Sequence, residues 1–125
     1  MGTMKKWLLR AHVDTERQRL AKRMEDQAAH GYYSCPLCGD FRFDVMARDL
    51  KGYETTLAFL DGEDVARTDL VQAHRTLYKR RLAMAKVSKR THEELGTKYE
   101  ESTREKAFKQ IENKIARYLA KEDKR

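Results

Sequence analysis

Cys35 and Cys38 stand at the two ends of a Cys-Pro-Leu-Cys run that continues into Gly39. Thiolates at that spacing can both reach one tetrahedral zinc ion at about 2.3 Å. Pro36 stiffens the intervening loop, and Gly39 lets the chain turn so that backbone N–H groups face the sulfurs. Zinc needs two further ligands, and the chain offers His12, His30, His74 and His92. His30 lies close enough to fold back on the cysteines, and His74 falls on an apolar helical stripe. His12 and His30 do not serve together, because 18 helical residues would hold them roughly 27 Å apart. Cys35, Cys38, His30 and His74 are therefore the leading set for one structural Zn²⁺. A four-thiolate site, with Cys35 and Cys38 from each chain of a homodimer, is second. The plainer alternatives are a reduced, metal-free cysteine pair and, for His74 alone, a satisfied core histidine.

The segment from Tyr32 to Phe41 resembles the knuckle of zinc-ribbon and treble-clef proteins, with its Cys-Pro-x-Cys-Gly core running into aromatic residues. It is also similar to the zinc hook of coiled-coil repair ATPases, in which two chains each give one such pair. The resemblance covers about ten of 125 residues and implies a structural zinc with a strand after the knuckle. The second cysteine pair of such sites is missing. Cys-Pro-x-Cys occurs in glutaredoxin-like proteins too, where a helix N-terminus activates the first thiolate. A strand after Gly39, no βαβ order and no second proline argue against that chemistry.

A second chemical signal is one-signed charge. Between Leu70 and Thr91 there is no acidic residue, while Arg75, Lys79, Arg80, Arg81, Lys86, Lys89 and Arg90 are basic. On a helical wheel Arg75, Lys79, Lys86, Lys89 and Arg90 fall within about 100° of one another, opposite Leu70, Leu77 and Met84. Such a ridge suits a phosphate backbone, since each neutralised phosphate releases counterions. Five contacts would give a log–log salt slope near −4 to −5 on duplex DNA. A merely solvated face is the plainer reading, but solvated faces usually mix signs, as 93–106 does. Tyr32, Tyr33, Phe41 and Phe43 could stack on unpaired bases, although the core of a small sheet is the favoured place for them.

The elements that position these groups follow from periodicity. Over 1–30, Leu9, Val13, Leu20, Met24 and Ala28 share a helix side, and Thr15-Glu16-Arg17-Gln18 has the form of a capping box. Gly31 would end that helix. Phe41, Phe43, Val45 and Ala47 alternate with polar neighbours as a half-buried strand would. A turn at 49–52 and a second strand at 53–60, where a helix is the alternative, complete a hairpin closed by Asp61-Gly62-Glu63-Asp64. Two helices follow. The first, about 65–92, carries Leu70, His74, Leu77, Tyr78, Met84 and Ala85 on one stripe. The second, about 103–122, aligns Phe108, Ile111, Ile115, Tyr118 and Leu119. Gly96 breaks between them, with capping boxes expected at Thr91 and Ser102. The fold expected is α+β, mainly α: an N-terminal helix, a knuckle-bearing antiparallel sheet and two helices in a single domain over 1–125. Its core would be Leu20, Met24, Phe41, Phe43, Val45, Leu57, Phe59, Leu70, Leu77, Phe108, Ile111 and Ile115.

Length and composition bound the rest. At 125 residues with 40% hydrophobic and 38% charged positions, the chain supports one modest core. Net charge is +7, but unevenly spread: 1–30 is mildly basic, 31–64 acidic and 65–125 strongly basic. No apolar run approaches the roughly 20 residues of a membrane span, and no secretory leader is evident, so a cytoplasmic protein is expected. No Gly-rich phosphate loop, Gly-x-Ser-x-Gly or His-Glu-x-x-His occurs, so the expectation is a binding protein without an enzymatic activity or small-molecule substrate. The leading function is a small zinc-stabilised nucleic-acid-binding regulator or accessory factor, for DNA or RNA. The alternative is an adaptor or inhibitor, of the kind viruses and mobile elements encode, whose basic face docks an acidic surface of a nucleic-acid-processing complex. The acidic patch at Asp40, Asp44, Asp49, Glu54, Asp61, Glu63 and Asp64 favours this alternative, because it would repel phosphate.

Overall fold

The computed structural model describes residues 3–30 and 36–123, and side chains over 3–29 and 43–123. Its elements are α1 (Lys6–His30), α2 (Pro36–Leu60), α3 (Arg67–Ala73), a π-helical segment (His74–Lys79), α4 (Arg80–Glu94) and α5 (Thr103–Asp123). Among the described residues there is no strand, so the expected antiparallel sheet is absent and the fold is all-helical. Backbone dihedrals stay helical across Ala73, His74, Lys79 and Arg80. α3, the π segment and α4 therefore form one rod of 28 residues, roughly 42 Å long at the α-helical rise.

The misread segment is instructive. Alternation over 41–47 is genuine but short, whereas Met46, Leu50, Tyr53, Leu57 and Leu60 keep a 4-3-4-3 spacing over the last fifteen residues of α2. The longer repeat wins because it lets α2 bury Tyr53, Leu57 and Leu60 against the other helices. Phe43 is left 40% exposed and Val45 only half-buried, against their expected places in the core, and the side chain of Phe41 lies outside the described residues. Gly52, expected in a turn, sits mid-helix where a Cβ would come 3.1 Å from Leu77 Cδ2. The glycine permits a close crossing of α2 and the rod, which outweighs its unfavourable helix propensity of about 1 kcal/mol.

Helix ends follow local chemistry. Pro36 opens α2 at a position where its missing N–H costs nothing. Gly62, with φ +79°, closes it: Glu63 N donates to Ala58 O and Gly62 N to Phe59 O, the Schellman pattern. Gly96, with φ +71°, repeats the device after α4, through Thr97 N to His92 O and Gly96 N to Glu93 O. Ser102 Oγ accepts from Glu105 N at 3.1 Å, as a cap should. The other two expected caps are inside helices. Thr15 and Thr91 donate instead to Ala11 O and Val87 O one turn back. The expected stop at Gly31 lies outside the described residues.

The core joins Leu9, Val13 and Leu20 of α1, Tyr53, Leu57 and Leu60 of α2, Leu70, Leu77 and Tyr78 of the rod, and Ala107, Phe108, Ile111 and Ile115 of α5. Each fully buried large side chain contributes about 1.5–3 kcal/mol. Tyr78 is the polar pivot: its ring meets Phe108 edge-on at 5.6 Å, and its hydroxyl donates to Thr56 Oγ1 at 2.8 Å. Burial pushes that hydroxyl's pKa far above its ordinary value. A bidentate pair, Arg10 to Asp61 at 2.7 and 3.1 Å, ties the end of α2 to α1.

Candidate nucleic-acid interface

The rod changes character along its length. Leu70, Ala73, His74, Leu77 and Tyr78 are buried, whereas α4 buries no residue, packs on the π segment and α5, and reaches α2 through the side chains of Arg80 and Arg81. A π turn holds more residues than an α turn, so the inward row runs 70, 74, 78, 82 in steps of four. This overturns the expected inward place of Met84, which is 66% exposed, while Leu82 and Ala85 are half-buried. Val87 and Leu95 are exposed too, at 63% and 73%.

All five ridge cations, Arg75, Lys79, Lys86, Lys89 and Arg90, are exposed. None meets a carboxylate among the described residues. Several cations elsewhere are paired: Lys51 with Asp69 at 3.0 Å, Lys109 with Glu101 at 2.8 Å, Arg67 with Asp123, and Arg80 with Asp49. The wheel treated the ridge as one band, and the structure divides it. Lys79, Lys86 and Lys89 line a cleft against α5, joined there by Lys109, Tyr99, Glu105 and Glu112. Arg75 borders a separate hollow with Arg48 and Arg80, and Arg90 lines neither. Arg48 and Lys109 escaped the sequence reading. Arg48 reaches its hollow only because 36–60 is a helix, and Lys109 joins the cleft only through the packing of α5 on α4.

The acidic block is not a uniform patch. Asp49 faces Arg80 and Asp61 faces Arg10, whose guanidinium holds the Asp61 carboxyl below its ordinary pKa. Asp44, Glu54, Glu63 and Asp64 are exposed, and the Asp40 side chain lies outside the described residues.

Of the expected zinc ligands, Cys35 lies outside the described residues, and Cys38 and His30 have described backbone only. Among the described residues no cluster of three metal-ligating side chains occurs. His74 is buried where the π segment begins, its Nε2 3.1 Å from Glu112 Oε1 but not aligned for a hydrogen bond. Burial holds its pKa below the usual 6.5; Glu112 works to raise it, and Lys79 and Arg75 lower it further. A helix rather than the expected strand runs from Pro36 through Gly39, as it does after the cysteine pair of a thiol redox site.

Compared with known protein families, curated proteins and solved structures, the chain matches none of them. Among the described residues no helix is long and apolar enough to cross a membrane.

Proposed function

We propose that the chain binds nucleic acid through the phosphate backbone, along the exposed cations of the π segment and α4. The single observation that carries this reading is that Arg75, Lys79, Lys86, Lys89 and Arg90 are all exposed along one rod, with no acidic residue between Leu70 and Thr91 and no anionic partner among the described residues. Unpaired surface cations are available to phosphates at little desolvation cost, and phosphates repay them by counterion release. Base reading is not part of the proposal. The test is fluorescence anisotropy of labelled duplex DNA and RNA across about 50–200 mM salt. The expected log–log slope on duplex DNA is near −4 to −5, made shallower by roughly 3 in a Lys79→Gln, Lys86→Gln, Lys89→Gln variant. No binding at the lowest salt, or an unchanged slope in the variant, overturns it.

The adaptor reading has its own support in Met84, Val87 and Leu95, apolar side chains left uncovered on and just after α4. Charge reversal at Lys79, Lys86 and Arg90 that spares nucleic-acid binding but abolishes capture of a protein partner selects it. Structural zinc at Cys35 and Cys38 is a separate part of the proposal, resting on their spacing. Native mass spectrometry tests it: one zinc per chain supports the mixed set with His30 and His74, one per dimer the four-thiolate bridge, and none removes it.

A further inference from the structure

An open hollow of about 190 Å³ between α4 and α5 shares Leu82, Ala85 and Glu105 with the lysine cleft. It is lined by Arg81, Leu82, Met84, Ala85, Ser102, Arg104, Glu105 and Phe108. Arg81 is half-buried, and no carboxylate or hydrogen-bond acceptor meets it among the described residues. Its Nε is fully buried, and its guanidinium stacks 5.7 Å from the centre of the Tyr53 ring. Taking a cation out of water without an anion is costly, and an aromatic face offsets only part of that cost. Arg104 differs: its Nη2 reaches Glu16 at 2.9 Å while its guanidinium lies 5.4 Å from the Phe108 ring centre. Glu105 also borders the hollow, but its carboxylate accepts from the Tyr99 hydroxyl and lies 3.9 Å from Lys109.

These charges leave one unanswered guanidinium beside an apolar wall of Leu82, Met84 and Phe108. A single positive charge with Glu105 nearby matches a monoanion better than a phosphate dianion. The volume is below the roughly 300–1,000 Å³ of drug-sized ligand sites, which limits the ligand to a compact body. We propose that this hollow binds a compact monocarboxylic acid, its carboxylate taken by the Nη pair of Arg81 and its apolar body laid against Met84, Leu82 and Phe108. The site goes beyond nucleic-acid binding and uses none of the five ridge cations.

The test is an NMR titration of the full chain with millimolar 3-phenylpropanoate, following the arginine Nε–H and methionine methyl signals. Neutral 3-phenylpropanamide and inorganic phosphate are run in parallel. Expected are saturable shifts at Arg81 and Met84 with the acid, and binding roughly tenfold to a hundredfold weaker for the amide and for Arg81→Met. Phosphate should leave Arg81 unmoved. The acid–amide comparison uses the unmodified chain, so it stands even if Arg81→Met fails to fold. Equal binding of acid and amide, a phosphate response at Arg81, or shifts confined to Lys79, Lys86 and Lys89 overturn the site. The Lys79→Gln, Lys86→Gln, Lys89→Gln variant should keep full acid binding, so failure of the nucleic-acid reading and failure of this one are distinguishable.

Discussion

Residues 70–78 and the α4 segment share one unbroken backbone, yet they treat their side chains in opposite ways. In the first, Leu70, Leu77 and Tyr78 are enclosed, the Tyr78 hydroxyl is answered by Thr56, and His74 lies beside Glu112. In the second nothing is buried, Lys86, Lys89 and Arg90 meet no carboxylate, and Met84 and Val87 face solvent. Continuity of a helix is thus no guide to where its stability resides. The first half holds the bundle together, and the second uses that anchorage to present charge and apolar surface outward.

The largest expected effect tests that division directly. Ile111→Ala and Leu77→Ala, both at fully enclosed positions, should each lower unfolding free energy by about 2–5 kcal/mol. Met84→Ala should change it by no more than about 0.5 kcal/mol. Urea denaturation midpoints decide, and a loss at Met84 as large as at Leu77 would erase the contrast. Next in size is Gly52→Val. Its added bulk would press on Leu77 where even a Cβ is already within 3.1 Å, so a loss of about 1–3 kcal/mol is expected by the same measurement. A neutral result would show that the crossing of α2 and the rod can open without penalty.

The smallest effect concerns pH. With the His74 pKa held below 6.5 in the folded chain, the unfolded chain takes up the proton first as pH falls. The His74 part of stability is therefore complete above 6.5 and declines as pH drops from there toward the folded-state pKa. Denaturation midpoints at about pH 7.5 and 5.5 should differ more in the natural chain than in His74→Gln. Equal differences would show that Glu112 fully compensates the buried imidazole.

Much of this architecture is legible in the sequence wherever one periodicity acts alone. The 3-4 spacing of Phe108, Ile111 and Ile115 defines α5, and the α1 stripe is read from Leu9 to Leu20 in the same way. Gly62 and Gly96 announce their helix ends because only a left-handed residue closes a Schellman turn cheaply. Reading fails where two periods overlap. Phe41, Phe43, Val45 and Ala47 alternate up to the point where the 4-3 repeat from Met46 takes over, and Gly52 looks like a turn when only the partner helix explains it. Met84 fails for another reason: a wheel drawn at 3.6 residues per turn carries no sign of the wider turn at 74–79. Exposure of the ridge cations follows from composition, but the grouping of Lys109 with Lys79, Lys86 and Lys89 depends on tertiary packing.

The wide turn at His74–Lys79 also sets a phase. Every residue beyond it is rotated relative to the core by the surplus that this turn holds. Winding these same residues as ordinary α-helix, with none deleted, would swing α4 by about 100° about its own length. Leu82 would leave its inward place, Arg81 would turn away from the Tyr53 ring, and the lysines would change which side of α5 they overlook. The direction in which this protein presents Lys86, Lys89 and Arg90 is thus stored in a one-residue surplus about two to three turns before those charges.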